Sequence, residues 1–214
     1  MSDSLGECLI QTPSSAVATI LLAHGAGAAM DSTFMNLLAD SLFEQSIEVI
    51  RFEFPYMQER RTLGKKRPPN KVAELVEHWQ YMVEWAEARG NIPIFIGGKS
   101  LGGRTASMFF SENPDAVQGC ICYGYPFHPP KKPDSLRVDH FAELQQTLLV
   151  LQGTRDPFGV PEEVAGYGLT DRVQLQWLES GDHDFSPLKR SGLTQLQLIE
   201  LAGSHTRQYI ERFL

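Results

Sequence analysis

Apolar positions along the chain gather into short, nearly unbroken runs: Val17 to Ala23, Ile47 to Phe54, Ile92 to Ile96, Val117 to Tyr123, Thr147 to Leu151 and Val173 to Leu178. Gly, Pro or polar turns bound each run. A strand with one wet face alternates apolar and polar residues, so these runs predict strands covered on both faces, as in a parallel sheet. Between them, apolar residues recur at helical spacing over Ser32 to Phe43, Val72 to Ala88, Leu101 to Phe110 and Leu193 to Phe213. Alternating strands and helices predict an α/β fold, a mostly parallel doubly wound sheet with helices on both faces and no large cap insertion. Glu7 to Gln11 reads as a short antiparallel edge strand.

The length of 214 residues suits one core, so residues 1–214 are expected to form a single domain. With 42% apolar and 21% charged residues, the chain has the composition of a globular protein. A formal charge of -7 argues against general affinity for nucleic acid or anionic membranes. The N-terminal Met1-Ser2-Asp3-Ser4 has no basic stretch leading into an apolar run, so neither a signal peptide nor an anchor is expected, and the chain fits a cytoplasmic enzyme. Cys8, Cys120 and Cys122 have neither CxxC spacing nor an even count, which predicts reduced thiols, with Cys120 and Cys122 on one face of a strand.

Candidate chemistry begins where the run Ile92 to Ile96 ends. Gly97-Gly98-Lys99-Ser100-Leu101-Gly102-Gly103 is followed at once by a helix-forming segment. This is G-x-S-x-G at a strand, turn and helix, and small residues two before and two after the serine allow a turn tight enough to hold the hydroxyl out. A glycine-rich phosphate cradle also uses strand, turn and helix. Neither G-x-x-x-x-G-K-[ST] nor G-x-G-x-x-G is present.

A serine hydroxyl needs a neighbouring base, and that base an orienting carboxylate. His128, His140 and His183 follow Ser100 in loops, whereas His205 falls in the terminal helical segment. His183, just after the last strand in Gly181-Asp182-His183-Asp184-Phe185, is the expected base; a solvated turn histidine is the plainer reading. Asp156, after the penultimate strand in Gly153-Thr154-Arg155-Asp156-Pro157, is the expected acid, although Asp before Pro is also a common turn residue. Oxyanion donors are expected at the backbone amides of Leu101 and of Ala26, the latter in His24-Gly25-Ala26-Gly27-Ala28 after the first long strand. His24 then holds that loop. Metal ligation is not indicated, since no second ligand stands at a favourable spacing from His183.

HGAGA at His24, GGKSLGGR at Gly97, GTRDPFG at Gly153 and GDHDF at Gly181, in that order, resemble the dienelactone-hydrolase-like branch of the α/β-hydrolases. With Gly124-Tyr125-Pro126-Phe127-His128-Pro129-Pro130, the chain is more narrowly similar to the small hydrolases that include the testis-expressed protein 30 family. The resemblance spans nearly the whole chain. It implies the α/β-hydrolase fold, a Ser100, Asp156 and His183 triad, and no cofactor. Dienelactone hydrolase itself uses a cysteine nucleophile where this chain has Ser100, so its lactone specificity does not carry over with the resemblance.

The function expected is therefore a serine hydrolase acting on an ester, thioester or similar acyl bond of a small molecule. The alternative is an inactive α/β-hydrolase fold retained as a binding or scaffold protein. Two long loops carry basic residues: Tyr56 to Lys71, with Arg60, Arg61, Lys65, Lys66, Arg67 and Lys71, and Gly124 to Asp139, with Lys131, Lys132 and Arg137. Such loops are usually solvated and mobile. The first, at the catalytic edge, is also placed to draw in an anionic substrate.

Overall fold

A computed structural model describes residues 7–90 and 92–214. Seven strands form one sheet: β1 (Leu9–Gln11), β2 (Ala18–Ala23), β3 (Ile47–Phe52), β4 (Ile94–Lys99), β5 (Gly119–Tyr123), β6 (Leu148–Gly153) and β7 (Val173–Leu178). Their order is β1-β3-β2-β4-β5-β6-β7, and all pairs are parallel except β1 with β3, as the sequence pattern predicted. Helices α1 (Thr33–Glu44) and α6 (Gln195–Ile210) pack against each other on one face. Helices α3 (Val72–Glu87) and α4 (Leu101–Glu112) pair on the other.

Because side chains alternate along a strand, one run fills two cores. Ile20 and Leu22 join Met35, Leu38 and Leu198 on the α1 face, whereas Leu21 and Ala23 join Trp79, Phe109 and Phe110 on the α4 face. Cys120 and Cys122 share the α4 face, and both are buried. Fully burying a Leu, Ile, Phe or Met side chain in these cores stabilises the fold by about 1.5–3 kcal/mol.

The sheet order determines where a site can form. From β2 the chain crosses to β3 on one side, then returns to place β4 on the other side of β2. The loops after β2 and β4 therefore diverge, leaving a crevice at the carboxyl ends of these strands. Ala23 pairs with Gly98 at that edge, so the His24 loop and Ser100 emerge side by side.

One expectation needs correction. The basic segment Tyr56 to Lys71 is not a loop throughout, because helix α2 (Pro55–Leu63) occupies its first half. Pro55 opens the helix with its φ already set, and Gly64 closes it at φ 64 in the left-handed region. Only Tyr56 and Met57 of α2 are buried, too few to give an apolar period. The short helix α5 (Pro161–Val164) is likewise too brief to leave one.

Candidate active site

Ser100 lies between β4 and α4 with φ 53 and ψ -112, a conformation that L-residues rarely adopt. Two hydrogen bonds fix it: its N–H donates to the Tyr123 carbonyl at 3.0 Å and its carbonyl accepts from the Arg104 N–H at 2.9 Å. The flanking glycines are required by contact. A Cβ on Gly98 would stand 2.7 Å from the Ala23 oxygen, and one on Gly102 would stand 2.6 Å from that oxygen and 2.7 Å from the His24 oxygen. The helix is thereby allowed to begin directly over β2.

His183 sits in the turn after β7, which Asp182 shapes by accepting the N–H groups of Asp184 and Ser186 at 2.9 Å each. Its Nδ1 meets Asp156 Oδ2 at 2.8 Å. Asp156 follows β6 and is fully buried. Oδ1 accepts the Phe158 N–H at 2.9 Å, and Oδ2 also accepts from Gln152 Nε2 at 3.0 Å. A carboxylate so placed makes Nδ1 the protonated nitrogen and leaves Nε2 as acceptor. The Phe158 ring lies against the imidazole, 4.4 Å between centroids.

Ser100 and His183 line one cavity of about 310 Å³, with Ala26, Phe34, Met35 and Phe158 among its walls. The structure thus brings together Ser100, His183 and Ala26 at a single opening, with Asp156 behind the imidazole. Peptide geometry orients the two backbone amides. The Gly25 carbonyl accepts from the Tyr56 hydroxyl at 3.2 Å and faces His24 Nδ1 at 2.7 Å. In a trans peptide the Ala26 N–H points the opposite way, out of that buried cluster. The Ser100 carbonyl is engaged along α4, so the Leu101 N–H points out of the helix N-terminus.

His24 is a loop anchor, as expected. It is buried, its Nε2 accepts the Phe54 N–H at 3.2 Å, and burial pushes its pKa down, so the ring is neutral. Elsewhere His128 faces Glu163 and His140 faces Ser107 Oγ, both away from the cavity.

Two residues escaped the sequence reading. Lys99, the variable residue before the serine, is buried; its Nζ donates to the His183 carbonyl at 2.7 Å, lies 3.3 Å from Asp184 Oδ1 and stands over the Phe34 ring. Burial lowers its pKa, partly offset by Asp184 and Asp156. Gln152 is the other. Its Oε1 accepts the Tyr125 N–H at 2.6 Å while its amide supports Asp156. A lysine and a glutamine ending otherwise apolar strands were the available signals.

The basic helix α2 is largely occupied internally. Arg60 donates to the carbonyls of Ala26 and Arg67, Arg61 pairs with Glu53 at 2.6 Å and Asp31 at 2.7 Å, and Arg67 reaches Glu59 at 3.4 Å. Among the described residues no helix is long and apolar enough to cross a membrane.

Comparison with known proteins agrees with this architecture. Residues 16–211 match the family described as Alpha/beta hydrolase domain, and the chain belongs to that family. Its fold is similar to that of an alpha-beta serine hydrolase homologue from Coxiella burnetii (TM-score 0.68, 21% identity, 97% of this chain and 90% of that one). A serine hydrolase without lid from Xanthomonas campestris superposes with TM-score 0.71 at 19% identity, over 97% of this chain and 88% of its own. Dienelactone hydrolase from Anabaena variabilis gives TM-score 0.70 at 20% identity, over 94% and 92% respectively.

Proposed function

We propose that the protein is a serine hydrolase that cleaves an ester or thioester of a small molecule through an acyl-enzyme intermediate. One observation carries the reading: a strained Ser100 and a His183 backed by buried Asp156 open on the same cavity. Ser100 Oγ attacks the acyl carbon while His183 Nε2 takes its proton, and Asp156 stays ionised to stabilise the imidazolium. The oxyanion accepts hydrogen bonds from the amides of Ala26 and Leu101. Collapse expels the alcohol or thiol, protonated by His183. Water, deprotonated by the same imidazole, then releases the acid and restores Ser100.

The chemistry calls for no cofactor. Phe34, Met35 and Phe158 favour a small apolar acyl or leaving group in the cavity. The similar fold of the Xanthomonas campestris serine hydrolase without lid supports an open cavity and small soluble substrates. The kinship we favour is the dienelactone-hydrolase-like branch, including the testis-expressed protein 30 group, with a cytoplasmic site of action; the four ordered motifs and the Anabaena neighbour support that branch.

A fluorophosphonate probe and a panel of p-nitrophenyl esters, thioesters and lactones test the reading. Wild type is expected to be labelled at Ser100 and to turn over one class. Ser100→Ala should lose both, with kcat down about a million-fold and an unchanged fold, and His183→Ala should fall nearly as far. Full activity in Ser100→Ala would sink the mechanism, and absence of labelling in wild type would leave the fold as a binding scaffold.

A further inference from the structure

Packing does not hold the segment that carries the Ala26 amide. Ala26, Gly27 and Ala28 are exposed, a Cβ on Gly27 would meet nothing within 4 Å, and one on Gly25 would make only ordinary contact with Lys99, at 3.7 Å. Among the described residues, no other backbone group bonds to the peptide groups of residues 25–28. Glycine at two of these four positions leaves the chain free to turn its peptide planes. Yet a donor meant for an oxyanion must be in place before charge develops, because reorienting it during the reaction cancels the stabilisation it would give.

Side chains supply what packing does not. His24 Nε2 accepts the Phe54 N–H, so Nδ1 carries the proton and donates to the Gly25 carbonyl at 2.7 Å. The Tyr56 hydroxyl shares its one proton between the Gly25 and Ala26 carbonyls, 3.2 Å from each. Arg60 Nη1 donates to the Ala26 carbonyl at 3.3 Å. Burial pushes the Tyr56 pKa up to about 12, so the hydroxyl is a donor at neutral pH. In a trans peptide the N–H runs opposite to the carbonyl before it, so a proton on the Gly25 oxygen sets the direction of the Ala26 N–H through a single rigid plane.

Both α2 side chains are themselves immobilised. The Tyr56 ring meets His24 edge-on with 5.7 Å between centroids, and its own N–H is bonded to Asn70 Oδ1 at 3.0 Å. The Arg60 guanidinium lies over the Tyr56 ring at 5.0 Å, and its Nε donates to the Arg67 carbonyl at 2.7 Å. The entropy of fixing these groups is therefore lost on folding and not during the reaction.

We propose that Tyr56 and Arg60 are positioning residues for the oxyanion donor: α2 holds the peptide planes on either side of Ala26, and with them the Ala26 N–H, in the orientation a tetrahedral intermediate requires. The assignment rests on the hydrolase reading, and it gives the basic helix a part in the rate instead of in attracting charge. Neither residue lines the cavity, so the contribution is made in the transition state and falls on kcat, not on KM.

The test compares wild type, Tyr56→Phe, Arg60→Met and the α3 control Tyr81→Phe in turnover of p-nitrophenyl butyrate, in Tm and in inhibition by butaneboronic acid and by butyrate. With the boronic acid, Ser100 Oγ bonds to boron, its proton passes to His183, and the tetrahedral adduct places a charged oxygen before the donors; planar butyrate forms no such adduct. Tyr56→Phe is expected to lower kcat about 10-fold to 100-fold with KM within about threefold, and to weaken the boronic acid by the same factor while leaving butyrate unchanged. Arg60→Met, which removes a longer bond, should lower kcat and boronic acid affinity about twofold to fivefold, and Tyr81→Phe should alter neither. Arg60→Met removes no core side chain and decides the question if Tyr56→Phe unfolds. Wild-type kcat and boronic acid affinity in both variants overturn the assignment, as do equal losses for boronic acid and butyrate, which a general distortion of the site would give. Boronic acid affinity that falls in Tyr56→Phe, in a protein whose wild type hydrolyses no ester, would reject the hydrolase reading and keep the role of α2. A wild type that neither hydrolyses an ester nor binds the boronic acid would overturn both.

Discussion

Lys99 shows how much of the site depends on side chains that do no bond-making. Its ammonium holds the His183 carbonyl and the Asp184 carboxylate, so the loop that carries His183 is pinned to the strand that leads into Ser100. Lys99→Met keeps the stem and removes both contacts. We expect kcat to fall about 10-fold to 100-fold with KM changed less than about threefold, the size of one or two charge-assisted hydrogen bonds. Steady-state kinetics with active-site titration measures this; a rise in KM alone would instead place Lys99 in substrate binding. Gln152 acts in the same way on Asp156, fixing the carboxylate oxygen that faces the imidazole.

At the scale of elements, the turn between β4 and α4 depends on backbones touching. Gly102→Ala would drive a methyl against two backbone carbonyl oxygens that cannot swing aside. It should cost at least about 2 kcal/mol in urea unfolding and lose fluorophosphonate labelling. Gly90→Ala, where a Cβ meets nothing within 4 Å, serves as its control and should change stability by less than about 1 kcal/mol. Equal stability of the two variants would contradict the close approach of α4 to β2. The strands and long helices were legible because each buries a continuous or periodic apolar face. Helix α2 was not, since its arginines serve Ala26, Glu53 and Asp31 and only Tyr56 and Met57 face inward.

Across the whole molecule, neutral histidines couple stability to pH. Burial pushes both His78 and His140 down to about 4, and lowers His24 as well. The unfolded chain takes up these protons below about pH 6.5, whereas the folded chain refuses them until near pH 4. Stability is therefore complete above the unfolded value and lost as pH falls between the two, by about 2 kcal/mol for each of His78 and His140 after allowing for partial exposure. Among the described residues His78 Nε2 is buried with no hydrogen-bond partner, and the ring packs against Phe52 and Phe54. His78→Phe should keep stability at pH 7 and flatten the decline between pH 6.5 and 4.5. Urea midpoints across that range measure it, and an unchanged slope would show that His78 does not carry the linkage.

The sequence by itself determined the alternation of strands and helices, the edge strand, the serine turn and the order in which Ser100, Asp156 and His183 follow one another at strand ends. Those features are local: apolar periodicity, small residues at a tight turn and polar residues at strand ends act over a few positions. Only the tertiary structure decided which groups meet. It joined Asp156 to His183 across 27 residues and Lys99 to the His183 carbonyl across 84. It also engaged the α2 arginines with the Ala26 carbonyl, Glu53 and Asp31. Spacing along the chain says nothing about distances across a sheet edge, where strand order and side-chain packing set every contact.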